Sequence, residues 1–222
     1  MRGKFSGFSR SLLLMSILAL AFSGSAYGQS MYFGEKQSCA GLGLAFDVDK
    51  NFTGLGVSLG GSYAGRFDIG LAGSFARDRE TSQDNTAVGV GTALYLVKQD
   101  KERPFSLDLG ATFEISSVKL EYENPEFHTL TIFCSLMHCF NLDSGSRWIP
   151  EIGVSYSRIS RPHKNSSFTK HLTNYFVSLH LASAEYKERT VAISPGLIFN
   201  EDNVVFNVTF ELYIPTKTPD PE

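Results

Sequence analysis

The stretch GLGVSLGGSYAGRFDIGL, residues 54–71, holds two alternating segments around one turn. Leu55, Val57 and Leu59 alternate with Gly54, Gly56, Ser58 and Gly60; beyond Tyr63-Ala64-Gly65, Phe67, Ile69 and Leu71 stand against Asp68, Gly70 and Ala72. Successive side chains of a strand point to opposite faces, so this period of two predicts a β-hairpin with one oily face and one small or polar face. The pattern extends outward. Upstream, Leu42, Leu44, Phe46 and Val48 alternate with Gly41, Gly43, Ala45 and Asp47. Downstream, Val88, Val90 and Leu94 mark a fourth strand. Phe105, Leu107, Leu109, Phe113 and Ile115 mark a fifth, against Ser106, Asp108, Gly110, Thr112 and Glu114. Segments 129–140, 149–158, 175–182, 191–199 and 204–214 bring the count to ten. Pro150 and Pro195 fall inside two of them and each removes a ladder donor, so a bulge or strand end is expected there, and eight strands are the alternative to ten.

Such alternation fits a soluble sandwich with its oily face inward or a membrane barrel with its oily face outward. The polar face discriminates. In a soluble sandwich it meets water and is rich in Lys, Glu, Arg and Thr, whereas the first five strands offer mainly glycine with Ala, Ser and Asp. Glycine weakens a strand unless tight curvature or crowding requires it, and a narrow barrel supplies both. Two further features agree. Phe67 and Phe75, and likewise Phe105 and Phe113, lie eight residues apart, or roughly 19 Å along the membrane normal at a 45 degree tilt, the separation of two interfacial aromatic girdles. The connections also alternate in length: 77–85, 117–127 and 159–174, the three longest, fall on one side, which would be external if the amino terminus starts in the periplasm.

The amino-terminal region reads as a leader. Arg2, Lys4 and Arg10 precede an apolar run over residues 12–22, and small residues at Ala26 and Gly28 suit a signal peptidase. The expected organisation is therefore a signal peptide over 1–28, an N-terminal segment over 29–39, a barrel over 40–214 and a tail over 215–222. Charged residues make up 19% of the chain, with 20 basic against 23 acidic, so no electrostatic footprint for nucleic acid is present. A hydrophobic content of 42% is too low for a bundle of spanning helices.

With its short turn between alternating strands, the 54–71 hairpin resembles those of bacterial outer-membrane β-barrel domains, and the resemblance covers about residues 40–214. It implies an all-β, antiparallel up-and-down transmembrane barrel in the outer membrane, with outer-membrane lipids and the barrel assembly machinery as partners. Members of that family usually end in an aromatic residue that the machinery reads. Here Tyr213 is followed by IPTKTPDPE, residues 214–222, a departure that bears on the insertion route.

Some small barrels of this family are lipid hydrolases, which makes Ser178-Leu179-His180 the nearest candidate for chemistry, with Glu151 or Glu185 to orient the imidazole. The family's hydrolases carry the histidine before the serine and face lipid, so the expected reading is a polar pair in a filled lumen. Asp47, Asp68, Asp108, Glu114, Glu151 and Glu211 share the inferred lumen face, as a structural network or, in the sharper alternative, a cation path. His163, Lys164, Lys170 and His171 read as a solvated loop. Cys39, Cys134 and Cys139 read as unpaired thiols, and Cys134-x3-His138-Cys139 lacks the second ligand pair of a metal site. No catalytic, cofactor or metal residue is assigned. Expected instead is an outer-membrane barrel with a structural or interaction role, the alternatives being a narrow pore, a soluble periplasmic ligand carrier and the hydrolase.

Glycine distribution supports a blocked lumen. Twelve glycines fall between Gly41 and Gly110, and only Gly145, Gly153 and Gly196 follow. The later strands place Glu151, Phe176, His180, Asn207, Glu211 and Tyr213 on the inward face, so bulky side chains would lean toward a bare wall. On the same parity, Leu109→Arg should cost about 2–4 kcal/mol of membrane stability and Gly110→Ser less.

Overall fold

A computed structural model describes residues 31–32, 37–119, 124–162, 168–183, 189–201 and 203–216. The expected signal peptide, the tail from residue 217, and His163, Lys164 and Glu185 lie outside them. Alternating sequence becomes strand throughout: β1 (Ser38–Val48), β2 (Phe52–Tyr63), β3 (Phe67–Asp78), β4 (Asp84–Val97), β5 (Ser106–Val118), β6 (Glu126–Met137), β7 (Phe140–Asn141), β8 (Arg147–Arg161), β9 (Phe168–Ala182), β10 (Thr190–Phe199) and β11 (Val204–Thr216). Every neighbour pairs antiparallel. β1 pairs β11 from Ser38 against Thr216 to Val48 against Phe206, and β6 pairs β8, which closes an up-and-down barrel of ten strands. The two-residue β7 continues β6 against β8 in the same register.

The inside–outside assignment follows the sequence parity. Leu42, Leu44, Phe46, Leu55, Val57, Leu59, Ile69, Leu71, Leu109 and Phe113 are exposed on the outer face, while Asp47, Ser58, Asp68, Asp108 and Glu114 are buried inside. An exposed apolar surface wrapping the whole wall is a belt for lipid, not for water. Aromatic side chains concentrate in it at two levels: Tyr63, Phe67, Phe105, Phe140 and Trp148 toward the end that carries the start of β1 and the end of β11, and Phe46, Phe75, Tyr156, Phe199 and Phe206 toward the far end.

Turn chemistry is local. Ala64 and Gly65 both adopt positive φ, 53° and 61°, and Arg66 N–H donates to the Tyr63 carbonyl at 3.1 Å, the primed geometry that suits twisted hairpins. Asp100 closes the β4–β5 connection by accepting from the Glu102 and Arg103 N–H groups at 2.8 Å and from the Arg103 guanidinium, which holds its carboxyl down at about 2.

Two expectations are corrected. The far-end connections are 49–51, 79–83, 119–125, 162–167 and 200–203, and those at the termini end are 64–66, 98–105, 138–146 with β7 inside it, and 183–189. The two longest, 98–105 and 138–146, lie at the termini end, opposite to the expected side. The outward residues of β9 before Tyr175 are Thr169, His171 and Thr173, so the oily signal fades while the ladder to β8 runs on to Arg161 against Phe168. Pro195 causes neither bulge nor strand end. The β9–β10 ladder skips the Ser194 and Pro195 rungs and resumes in register at Gly196 against Ser178, because proline has no N–H to offer that neighbour. Pro150 likewise neither bulges nor ends β8, which runs through it; the interruption lies in its partner, where β6 stops at Met137 and pairing resumes at Phe140.

Candidate functional site in the barrel lumen

The parity that sends Leu and Phe to lipid sends polar residues into the lumen, where each must find partners from other strands. Toward the termini end, His180 of β9 does so on both sides. Its Nε2 lies 2.8 Å from Glu151 Oε2 on β8, and its Nδ1 lies 2.8 Å from Ser194 Oγ on β10. Beside it, Asp108 of β5 accepts from the Ser135 amide at 2.9 Å and the Ser135 hydroxyl at 2.6 Å. The ladder opening at Ser194 and Pro195 lies opposite His180 and Leu179.

Tyr32, from the segment ahead of β1, enters this layer and is fully buried. Its hydroxyl donates to Glu211 Oε2 at 3.2 Å and lies 3.4 Å from His180 Nδ1; its ring packs on Tyr213 with centroids 4.8 Å apart. Burial, with the Glu211 charge adding to it, pushes the phenol well above its ordinary value, so the O–H stays a donor. The Arg147 guanidinium donates to the Tyr32 carbonyl and anchors the backbone. Above this layer Tyr32, Cys39, Tyr95, Met137, Ile149, Ala182, Ala192 and Tyr213 pack as an apolar cluster.

Further along the lumen, two aromatic rings lie over glycines of the neighbouring strand. A Cβ on Gly110 would sit 2.1 Å from Phe133 Cζ and 2.7 Å from the Thr92 carbonyl oxygen; one on Gly153 would sit 2.1 Å from Phe176 Cζ. The bulky side chains therefore do lean on glycine, but on the adjacent strand rather than across the barrel. A side chain at Gly110 therefore carries a packing cost of its own, since the wall backbone and an aromatic ring both stand in the way. Beyond the rings come Thr131 and Ser157, bonded at 2.8 Å, and a layer around Glu114. Two apolar clusters pack toward the far end: Phe52, Ala72, Ala76, Ile198 and Val205, and Val118, Phe127 and Ile159.

The six anticipated carboxylates are all buried in the lumen. Of the anticipated serine–histidine pair, His180 is central and Glu151 is its carboxylate partner. Ser178 is not its hydroxyl; that role falls to Ser194, and Ser178 Oγ instead lies against Gly196. The order Ser194–His180–Glu151 is that of a hydrolase relay, but Ser194 is buried, and Pro195 after it has no N–H to serve as an oxyanion donor. No disulfide joins Cys39, Cys134 or Cys139, and no group of three metal-ligating side chains occurs, among the described residues. Tyr32 and Ser194 escape a reading of the sequence, since cross-strand partners and an inserted segment leave no local pattern.

No protein-family model matches the chain, and no curated protein is significantly similar to it in sequence. Among solved structures it is similar to the β domain of the Bordetella autotransporter BrkA, at 11% identity and a TM-score of 0.51, over 82% of this chain and 100% of that one. It is also similar to the translocator domain of the autotransporter NalP from Neisseria meningitidis, at 9% identity and a TM-score of 0.50, over 94% and 97%. The fold is that of the bacterial outer-membrane β-barrels. With a continuous lipid-facing belt and two aromatic levels, the protein is a small ten-stranded barrel of the outer membrane.

Proposed function

We propose that this barrel has a structural or interaction role in the outer membrane, and that it is neither a diffusion pore nor a lipid hydrolase. The observation that carries the reading is Tyr32, buried in the lumen and tied to Glu211, His180, Tyr213 and Arg147 beneath an apolar cluster. Apolar clusters at the far end support it, because a water-filled path would not be crossed by packed Phe, Val and Ile. The buried Ser194 weighs against hydrolysis of any bound lipid. The partners are outer-membrane lipids around the belt and the barrel assembly machinery that inserts it.

Planar-bilayer recording of the purified protein tests this. Wild type should give no channels of porin-like size, and Tyr32→Ala should raise the frequency of openings. Stable large channels in wild type would replace the reading with that of a narrow pore.

A further inference from the structure

At the far end of the barrel, β9 outruns β10. Their pairing stops at Tyr175 against Phe199, whose rings stack with centroids 5.9 Å apart, and the chain then turns through 200–203 into β11. A last side-chain link crosses there, from Asn200 Nδ2 to Asn174 Oδ1 at 2.8 Å. Pairing with β8 continues in register and without a bulge, from Asn174 against Ser155 to Phe168 against Arg161. Residues 169–173 are thus paired along one edge, and among the described residues no strand pairs with the other edge over about 17 Å. The projection is supported on its inner face, where Phe168 and Leu172 pack on the Val118, Phe127 and Ile159 cluster.

A strand edge without a neighbour turns the N–H and C=O groups of every second residue toward whatever lies beside it, and proteins normally shorten, bulge or cover such edges. This one is regular, and it is basic. The hairpin of β8 and β9 carries Arg158, Arg161, Lys164 and Lys170, and no Asp or Glu occurs from Ile152 to Ala184. Arg158 stands opposite His171 on the outer face, where Tyr156 stacks on the imidazole with its hydroxyl 2.6 Å from Nδ1. Acidic side chains of the adjoining elements are engaged elsewhere: Glu126 of β6 lies 2.8 Å from His128 Nε2, and Glu201 lines a groove with Lys50 and Asn203 toward β11. Two copies of this edge would bring like charges together, so the charge that disfavours self-pairing favours a partner of opposite sign.

We propose that the β9 edge over residues 169–173, flanked by Arg158, Lys170 and His171, docks an acidic, extended segment of another protein, which adds to the sheet as a further strand. The site rests on the interaction role stated above and gives that role a partner chemistry. Its test is the binding of a fluorescein-labelled, eight-residue peptide of alternating Thr and Glu to the full protein in dodecyl maltoside, read by anisotropy. The peptide should bind and slow amide exchange at alternate residues within 169–173. N-methylating every peptide amide keeps the charge but removes the donors, and should weaken binding about tenfold or more. Changing Arg158 and Lys170 together to Glu should weaken it by about as much, whereas Arg77→Glu, at the same end on β3, should leave it unchanged. Absence of binding, exchange protection elsewhere on the barrel, or sensitivity to Arg77→Glu equal to that of the pair would each overturn the site. Equal binding of the N-methylated peptide would also overturn it, by making the hairpin a patch for any polyanion. If the double variant does not fold, the N-methyl comparison and the exchange pattern of wild type still decide. Loss of this site with no channels in the bilayer recording would leave the closed barrel standing.

Discussion

The lumen contains two polar layers built from the same residue types, and they are satisfied in opposite ways. Around His180, each carboxylate has at least one bonded oxygen: Glu151 to the imidazole, Asp108 to Ser135, Glu211 to Tyr32. Around Glu114 neither the carboxylate nor its neighbouring hydroxyls have a partner. Both layers are the work of parity, which fixes which face a residue takes but not what it meets there. The difference comes from long-range supply. A histidine from β9 and a tyrosine from ahead of β1 reach the first layer, and among the described residues no base bonds the carboxylate of the second. Phe133 and Phe176, resting on Gly110 and Gly153, lie between them along β6 and β9.

The contrast should break most sharply at His180. His180→Leu leaves Glu151 buried without its imidazole partner, and should cost about 3–5 kcal/mol in a urea titration of the folded barrel. Replacing both Glu151 and His180 by apolar residues should recover most of it. A double variant as unstable as the single would mean that the pair is not a unit. Glu114→Gln, which breaks no bond to a side chain, should show no comparable loss in the same titration.

Leu109 sharpens the comparison from the outside. It follows Asp108 of the first layer in the chain yet faces lipid, so Leu109→Arg should cost about 2–4 kcal/mol by desolvation in the membrane, whatever happens inside. Equal stability in vesicle folding would refute the outward face of β5. At the boundary between the layers, Gly110→Ala should cost about 1–3 kcal/mol by overpacking, part of it recovered when Phe133 is also shortened to Leu. Additive effects in that double-mutant cycle would show that the ring does not rest on the glycine. The smallest change is Tyr32→Phe, which removes the hydrogen bond to Glu211 but keeps the ring on Tyr213, and should cost about 1 kcal/mol. A loss as large as that of His180→Leu would make Tyr32 part of the core network rather than its cover.

Much of this is legible in the sequence. Alternation over 54–71 gives the hairpin, its turn and its two faces, and the same parity is enough to place Asp108, Glu114, Glu151 and Glu211 in the lumen. Strand ends are less legible. Residues 168–174 carry Thr, Lys, His and Asn, whose polarity reads as loop although the backbone stays paired with β8. The choice of Ser194 over Ser178 as the partner of His180 is invisible for another reason: Ser178 is nearer in sequence, but β10 lies alongside β9.

The seam between β1 and β11 sets the order of assembly. Ser38 pairs with Thr216 and Val48 with Phe206, so the last rungs join residues almost a whole chain apart and cannot form until both strands are present. Such closure is entropically late and slow compared with the local hairpin-like pairings of the other strands. Until it occurs, β1 and β11 each carry an open row of donors and acceptors, a template for pairing with another chain. The interval before the seam zips is therefore when this barrel is most exposed to aggregation, and when a chaperone or insertion partner has most to protect.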